Sequence, residues 1–308
     1  MLGTPIVLTR FDGTASAFVD RCPHRNAPLS AGRIAGNALQ CPYHGWTFGP
    51  DGHCQHVPGL VKTEDTQTYR LTAIKAVERN GLVWLYLGED NPSIEPLDLE
   101  GRDIAPAYSF IWKATARGEL RHLLENFLDG THTHFVHAGL VRTHGKRQRI
   151  NATVKPSIDR VEVRYFNEGK QAGLISKIFE GSRSESFGRY IYPSIAEIEY
   201  RSRSGTSLAI RSYLTPTSSD GFDVYAQFVI PGGKLMGLIK RILGAPFFAL
   251  ALRQDLKIVE LQYQTIKKFG HADFRSTELD LMSPHIDRLL KDGPEHGDAP
   301  ETTIECDL

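Results

Sequence analysis

The N-terminal third of the chain is a succession of short alternating runs. Thr4–Arg10 and Ala17–Asp20 read as two strands joined at Asp12-Gly13, a dipeptide suited to a tight hairpin. Further strands are expected at Tyr69–Ala76 and Leu82–Leu87, the second being the apolar run LVWLYL. Pro92, Pro96 and Pro106 punctuate a linker and place a domain boundary near residues 90–105. Residues 107–117 read as a strand leading into a segment of different period, in which Leu120, Leu123, Leu124, Phe127 and Leu128 recur at helical spacing. After His144 the period is two again. Val161/Val163/Tyr165, Ala196/Ile198/Tyr200 and Val224/Ala226/Phe228 alternate with polar partners, and turn signals separate them. That pattern predicts an antiparallel sheet with one wet face.

Helical period returns from Pro246 to Phe269. Ala251, Leu252, Ile258, Val259 and Ile266 make its inner stripe, and Arg253, Lys257, Glu260 and Gln264 its outer face. The whole reads as an α+β protein. An all-β domain covers residues 1–95, a second domain with an antiparallel sheet covered by helices covers 96–290, and an acidic tail over 291–308 is expected to fray.

Charge narrows the function. Lys+Arg and Asp+Glu both number 36, so the formal net charge is zero and no nucleic-acid groove is expected. The N-terminus carries no basic segment followed by an apolar run, so no secretory signal is visible and a cytoplasmic location is expected. Leu235–Leu252 is the most apolar stretch, but Lys240 and Arg241 interrupt it. It is read as a helix with those two cations on its wet side rather than as a membrane span.

The candidate chemistry lies in two places. Cys22-Pro-His24 and Cys41-Pro-Tyr-His44 sit on Pro- and Gly-rich loops, and each supplies one thiolate and one imidazole. Zinc knuckles usually pair like with like, whereas a Rieske [2Fe–2S] centre takes two Cys on one iron and two His on the other. His53, Cys54 and His56 are read as hairpin and surface residues, not ligands. The second place is LENFLDGTHTHFVH, residues 124–137. Asn126, Asp129 and His132 follow one another at intervals of three and share a helix face, and Gly130 weakens the helix just before the histidines. Imidazoles are an expensive way to fill an apolar element, so a metal is expected there. Helix geometry leaves the pair open. His134 and His137, three apart, suit a regular helix, whereas His132 and His137 meet only if the helix breaks. On the last helix, Asp255 falls on the buried side between Leu252 and Val259, and a carboxylate there must be paired, protonated or bound to a cation.

The C-x-H…C-x-x-H pattern of Cys22, His24, Cys41 and His44, with the flanking HRNAPLSAG and PYHGWTF, resembles Rieske proteins. Asp129, His132 and His137 match the D-x-x-H-x-x-x-x-H pattern, and Gln254-Asp255…Ile258…Glu260…Gln262 the late carboxylate segment, of the large subunit of Rieske non-haem iron oxygenases. The Asn126-x-x-Asp129 spacing is closest to the vanillate and dicamba demethylase branch.

The resemblance implies a Rieske domain followed by a helix-grip, START-like catalytic domain. It also implies one [2Fe–2S] cluster on Cys22, His24, Cys41 and His44, and one Fe(II) on His132, His137 and Asp255. Asp129 then couples the two centres, and Asn126 positions Asp129 or the open coordination site. The implied activity is that of a terminal oxygenase, with a monooxygenase outcome favoured. It takes electrons from an NAD(P)H-dependent reductase or ferredoxin and uses O2 to hydroxylate or demethylate a small organic substrate. A ring cis-dihydroxylase and a Rieske electron carrier are the alternatives. The implied assembly is a head-to-tail homotrimer. The pocket is expected around Tyr190, Tyr192, Ile210 and Leu235–Leu252. Relatives usually carry some tens of residues before the strand equivalent to Thr4–Arg10, so a Rieske domain truncated at its N-terminus, with an unpaired strand edge, is expected.

Overall fold

The computed structural model describes residues 1–61, 66–88, 96, 107–143, 147–169, 173–179, 183–295 and 300–308. The linker prolines Pro92 and Pro106 lie outside them. The chain divides into two compact units, Met1–Asp103 and Ile104–Leu308.

In the first unit, the strands are β1 (Ile6–Phe11), β2 (Thr14–Val19), β3 (Arg33–Ala35), β4 (Ala38–Gln40), β5 (Thr47–Phe48), β6 (Cys54–His56), β7 (Ala73–Arg79) and β8 (Leu82–Tyr86). They form two four-stranded antiparallel sheets of order β1-β2-β7-β8 and β3-β4-β5-β6. β1 therefore lies at a sheet edge among the described residues. Val7, Phe11, Phe18, Leu29, Leu39 and Phe48 fill the core. Cys54, expected at the surface, belongs to that core, because β6 turns it inward against β5. The β2–β3 and β4–β5 connections carry the two Cys/His loops.

The second unit is built on one eight-stranded antiparallel sheet. In chain order its elements are β9 (Ala107–Arg117), α1 (Leu120–Leu128), β10 (Arg149–Pro156), β11 (Arg160–Phe166), α2 (Leu174–Phe179), β12 (Arg183–Ile191), β13 (Ile195–Ser202), β14 (Gly205–Pro216), β15 (Gly221–Pro231), α3 (Lys234–Phe269), α4 (Ser283–Asp292) and β16 (Thr302–Asp307). The strand order is β16-β10-β11-β12-β13-β14-β15-β9. The predicted inner positions Val161, Val163, Tyr165, Ala196 and Val224 pack with Leu123, Leu124 and Leu128 of α1 in one core cluster, and Ala226 and Phe228 with Phe248 of α3 in another.

Three expectations are corrected. The opposite face of the central strands is not wet: Arg189, Glu197, Glu199 and Arg211 are all buried there. Their charges are tolerated because each is paired, with Arg189 Nη1 donating to Glu197 Oε1 and Glu199 Oε2 at 2.7 Å each, and Arg211 bonded to Glu197. The tail is not frayed over residues 302–307. β16 pairs with β10, Cys306 facing Ile150, and its alternation turns Cys306 and Leu308 into the core.

The third correction concerns α3, which runs unbroken over 36 residues, past Pro246. Lys240 and Arg241 are not on its wet side. Arg241 Nη1 donates to the Tyr108 hydroxyl at 3.1 Å and lies over Phe110, while Lys240 lies over Phe179. Leu235, Ile242 and Leu243 are the exposed side chains, at 73%, 65% and 55%. Long cationic stems pack along aromatic surface as well as any aliphatic chain does, so charge alone misassigned the faces.

Gly237 and Gly244 let α3 approach the sheet and α2. A Cβ at Gly237 would stand 2.2 Å from Tyr108 Cβ. Gly237→Ala is therefore expected to destabilise, the overpacking cost of about 1–3 kcal/mol exceeding the helix-propensity gain of at most about 1 kcal/mol. A thermal melt should show a midpoint lower by a few degrees.

Candidate metal centres

α1 buries His122, Leu123, Leu124 and Leu128 and stops at Asp129, whose backbone is extended (φ −73°, ψ 125°). The Asp129 carboxylate then organises the next turn. Oδ1 accepts from the Thr131 N–H at 2.6 Å and its hydroxyl at 2.7 Å, and Oδ2 accepts the His132 N–H at 3.1 Å. A single 3-10 turn, His132–His134, follows. The helix has thus ended before either ligand candidate, and this removes the angular mismatch of residues five apart. His132 and His137 turn towards each other, with ring centroids 5.1 Å apart. His134 turns elsewhere, its Nδ1 3.3 Å from the Thr143 carbonyl.

α3 brings Asp255 to the same point. Its Oδ1 is 3.3 Å from His132 Nε2 and 2.8 Å from His137 Nε2. Among the described residues, His132, His137 and Asp255 bring three donor atoms within 4.8 Å of one another. His132 Nε2 and Asp255 Oδ1 are buried, yet neither has a hydrogen-bond partner of acceptable geometry. Close approach without alignment is how ligands of one cation stand, since their lone pairs aim at a shared centre and not at each other.

The surrounding bonds support that orientation. His137 Nδ1 donates to Gln254 Oε1 at 3.0 Å, which leaves Nε2 as the lone-pair nitrogen, and His132 Nδ1 lies 3.4 Å from Asp129 Oδ2. Burial pulls His132 down, but the neighbouring carboxylates of Asp129 and Asp255 outweigh it and raise its pKa to about 9. Burial pushes the Asp255 carboxyl up, and the two histidines more than reverse that, holding it below the usual carboxylate range. Positive charge is favoured here. Two imidazoles and one carboxylate with room beside them suit a divalent iron that keeps open positions.

That room is a cavity of about 130 Å³ lined by the three ligand candidates and by Asn126, Val141, Ile198, Ile210, Phe248 and Ala251 among others. Asn126 Oδ1 is buried there without a hydrogen bond. Of the expected lining, Ile210 and the Phe248–Ala251 part of α3 are present. Tyr190 is not, because it is fully buried in the core with its hydroxyl donating to the Pro193 carbonyl, and Tyr192 packs against the same cluster. Gln254 and the charged lining residues Arg142 and Arg183 escaped sequence reasoning. Gln254 was visible only as the neighbour of Asp255, and a charged residue in a strand-rich segment reads as surface.

In the first unit, the two loops are closed by backbone bonds: the Asn26 N–H to the Cys22 carbonyl at 2.9 Å, and the Gly45 N–H to the Cys41 carbonyl at 3.2 Å, with Gly45 at φ +71°. The sequence mixes Cys and His in each loop, but the structure pairs like with like. The buried Cys22 and Cys41 thiols interact directly, and the His24 and His44 rings lie 4.6 Å apart. The donors of a single tetrahedral zinc would all crowd round one point, whereas two like pairs are the arrangement a two-iron cluster needs. His24 Nδ1 is buried without a partner, and the ring stacks on Trp46 at 4.6 Å. Burial and then the neighbouring Cys41 push the Cys22 thiol up to about 11, and a bound metal would take that proton's place.

Comparison with known proteins finds a match for both parts of the chain. Residues 1–71 match the Rieske [2Fe-2S] domain, and residues 117–291 the vanillate O-demethylase oxygenase C-terminal domain. The oxygenase component of chloroacetanilide N-alkylformylase from Rhizorhabdus wittichii is 36% identical over 147 residues, which is 44% of this chain and 40% of that protein. A methylxanthine N3-demethylase from Pseudomonas putida is 33% identical over 150 residues, 45% of this chain and 41% of that protein. These alignments span about two fifths of the curated relatives' length. The crystal structure of dicamba monooxygenase bound to dicamba superposes with a TM-score of 0.81 at 21% identity, covering 96% of this chain and 91% of that one.

Proposed function

The chain belongs to the vanillate O-demethylase oxygenase family of Rieske proteins, and from that premise we infer that it is the terminal oxygenase component of a Rieske system, hydroxylating or demethylating a small organic substrate. The observation that carries this reading is the convergence of His132, His137 and Asp255 on one point beside a cavity, in a chain that also holds two Cys and two His as like pairs. In this reading residues 1–95 are the Rieske domain and 96–290 the catalytic domain. Cys22, His24, Cys41 and His44 hold the cluster, and His132, His137 and Asp255 hold the iron.

When bound, the cluster supplies single electrons and the iron activates dioxygen beside the substrate. The chain's own groups do the rest. Gln254 fixes the His137 tautomer, and Asp129 fixes the turn that carries His132 and sets a carboxylate oxygen 3.4 Å from its ring Nδ1. The branched and aromatic residues Val141, Ile198, Ile210 and Phe248 give the cavity an apolar wall. The Asn126 amide offers a polar contact inside it. An NAD(P)H-dependent reductase or ferredoxin supplies the electrons, and three chains assemble head to tail in the cytoplasm.

Metal analysis and oxygen uptake test this together. The purified protein should hold about three irons per chain, two in the cluster and one apart. With a surrogate reductase it should consume O2 in proportion to an aromatic or N- or O-methyl substrate, placing one labelled oxygen atom in product. About two irons and no substrate-linked uptake would leave an electron carrier instead.

A further inference from the structure

The outer face of the first half of α3 has no part in the oxygenase reading, yet it gathers exposed apolar side chains as no other described element does. Leu235, Leu238, Ile239, Ile242, Leu243 and Leu250 are all exposed. At about 100° per residue they fall within an arc of roughly 140° on one side of the helix. The opposite side is occupied. Gly237 lies against Tyr108 and Gly244 against Phe179, while Phe248 and Ala251 line the cavity. α2 packs beside α3 and adds an exposed Leu174. Chains rarely leave so continuous an apolar stripe bare unless something covers it in use.

The charges around the stripe have one sign. Lys234 precedes it, Arg253 follows it, and Lys240 and Arg241 flank it with their stems on Phe179 and Phe110. α3 has no acidic residue before Asp255. α2 has none either, and it contributes an exposed Lys177. A symmetric pairing of two copies would lay this patch on itself and set cation against cation. A surface of anionic phospholipid complements it instead. Apolar side chains enter the acyl boundary, and long cationic ones reach the phosphates. The helix lies on such a surface rather than crossing it, because the inner side of the same residues is fixed to the sheet and to α2.

We propose that the α2–α3 face docks reversibly on a membrane surface of anionic phospholipid, with the first half of α3 lying in the headgroup plane. The bilayer then lies against the outer side of the wall whose inner side chains Ile175, Phe248 and Ala251 line the cavity beside His132, His137 and Asp255. The docking stands on the exposed stripe and its cations and does not depend on the oxygenase reading.

The experiment is flotation of the iron-loaded holoenzyme with vesicles of equimolar phosphatidylcholine and phosphatidylglycerol, and with vesicles of phosphatidylcholine alone. Wild type should bind the mixed vesicles about tenfold or more tighter than the neutral ones. The double variant Leu235→Gln, Ile242→Gln should weaken binding to the mixed vesicles about tenfold or more. Its melting midpoint should stay that of wild type, because both side chains are exposed. The double variant Lys177→Gln, Lys234→Gln should narrow the preference for mixed vesicles. Phe269→Gln, at the far end of α3 and equally exposed, should bind like wild type. Absence of flotation by wild type overturns the proposal, as does equal flotation on both vesicles; neither result depends on a variant folding. Binding that survives the Leu235/Ile242 change, or a preference untouched by the lysine changes, also overturns it. A lower oligomeric state of the Leu235/Ile242 variant in lipid-free sedimentation would assign the face to a second copy and overturn it too. Flotation as described, by a chain with no substrate-linked oxygen uptake, would leave the docking standing and sink the oxygenase reading.

Discussion

Asp255→Ala is expected to remove the mononuclear iron and leave the cluster in place. Iron per chain should fall from about three to about two, the visible spectrum of the cluster should be unchanged, and turnover should drop by more than about a hundredfold. Partners that merely orient a metal ligand are worth about 10–100-fold, and loss of a ligand should exceed that. The geometry explains why no neighbour substitutes. Asp255 Oδ1 stands between His132 Nε2 and His137 Nε2, and Gln254, the adjacent polar residue, is occupied by His137 Nδ1. The variant should fold, because it deletes a buried carboxylate along with its desolvation cost. Elemental analysis beside the absorption spectrum decides it: unchanged iron would mean that the third ligand lies elsewhere.

The second large effect is expected at Asp129, and it should look different. Asp129→Asn keeps an oxygen that can accept the Thr131 N–H, and Asn caps such turns as well as Asp does. The turn and both metals should therefore persist. The negative charge beside His132 Nδ1 is lost, and with it the carboxylate that fixes that ring. Turnover should fall about 10–100-fold with iron content unchanged, the loss appearing in kcat rather than KM. Normal turnover by a fully loaded Asp129→Asn enzyme would remove Asp129 from the coupling role.

The two substitutions separate what was legible in the chain from what was not. The four residues proposed for the cluster were legible because Cys22/His24 and Cys41/His44 sit on short loops whose spacing brings them together. Asp255 was readable because a helix's period exposes a carboxylate on the wrong face. The choice between His132 and His134 was not available from periodicity, since it depends on Asp129 ending α1 and capping the next turn with its side chain. The faces of the N-terminal half of α3 were inverted for a related reason. A hydropathy pattern scores Lys240 and Arg241 by their tips, whereas their stems and the two glycines decide which side meets the sheet. Arg142, Arg183 and Glu168 stayed hidden because a buried ion cluster has no sequence signature: its members lie on segments far apart in the chain, and each alone resembles surface.

Gly130, between the two Asp129-capped elements, has Leu308 against it: a Cβ there would lie 3.4 Å from Leu308 Cδ2. The turn that presents His132 therefore leans on residues synthesised long after it. While the chain is still on the ribosome, His132 and His137 have emerged but Asp255, and then β16 with Leu308, have not. On the proposed ligand set, the two imidazoles are therefore made well before the carboxylate that completes the site and before the side chain that buttresses the turn.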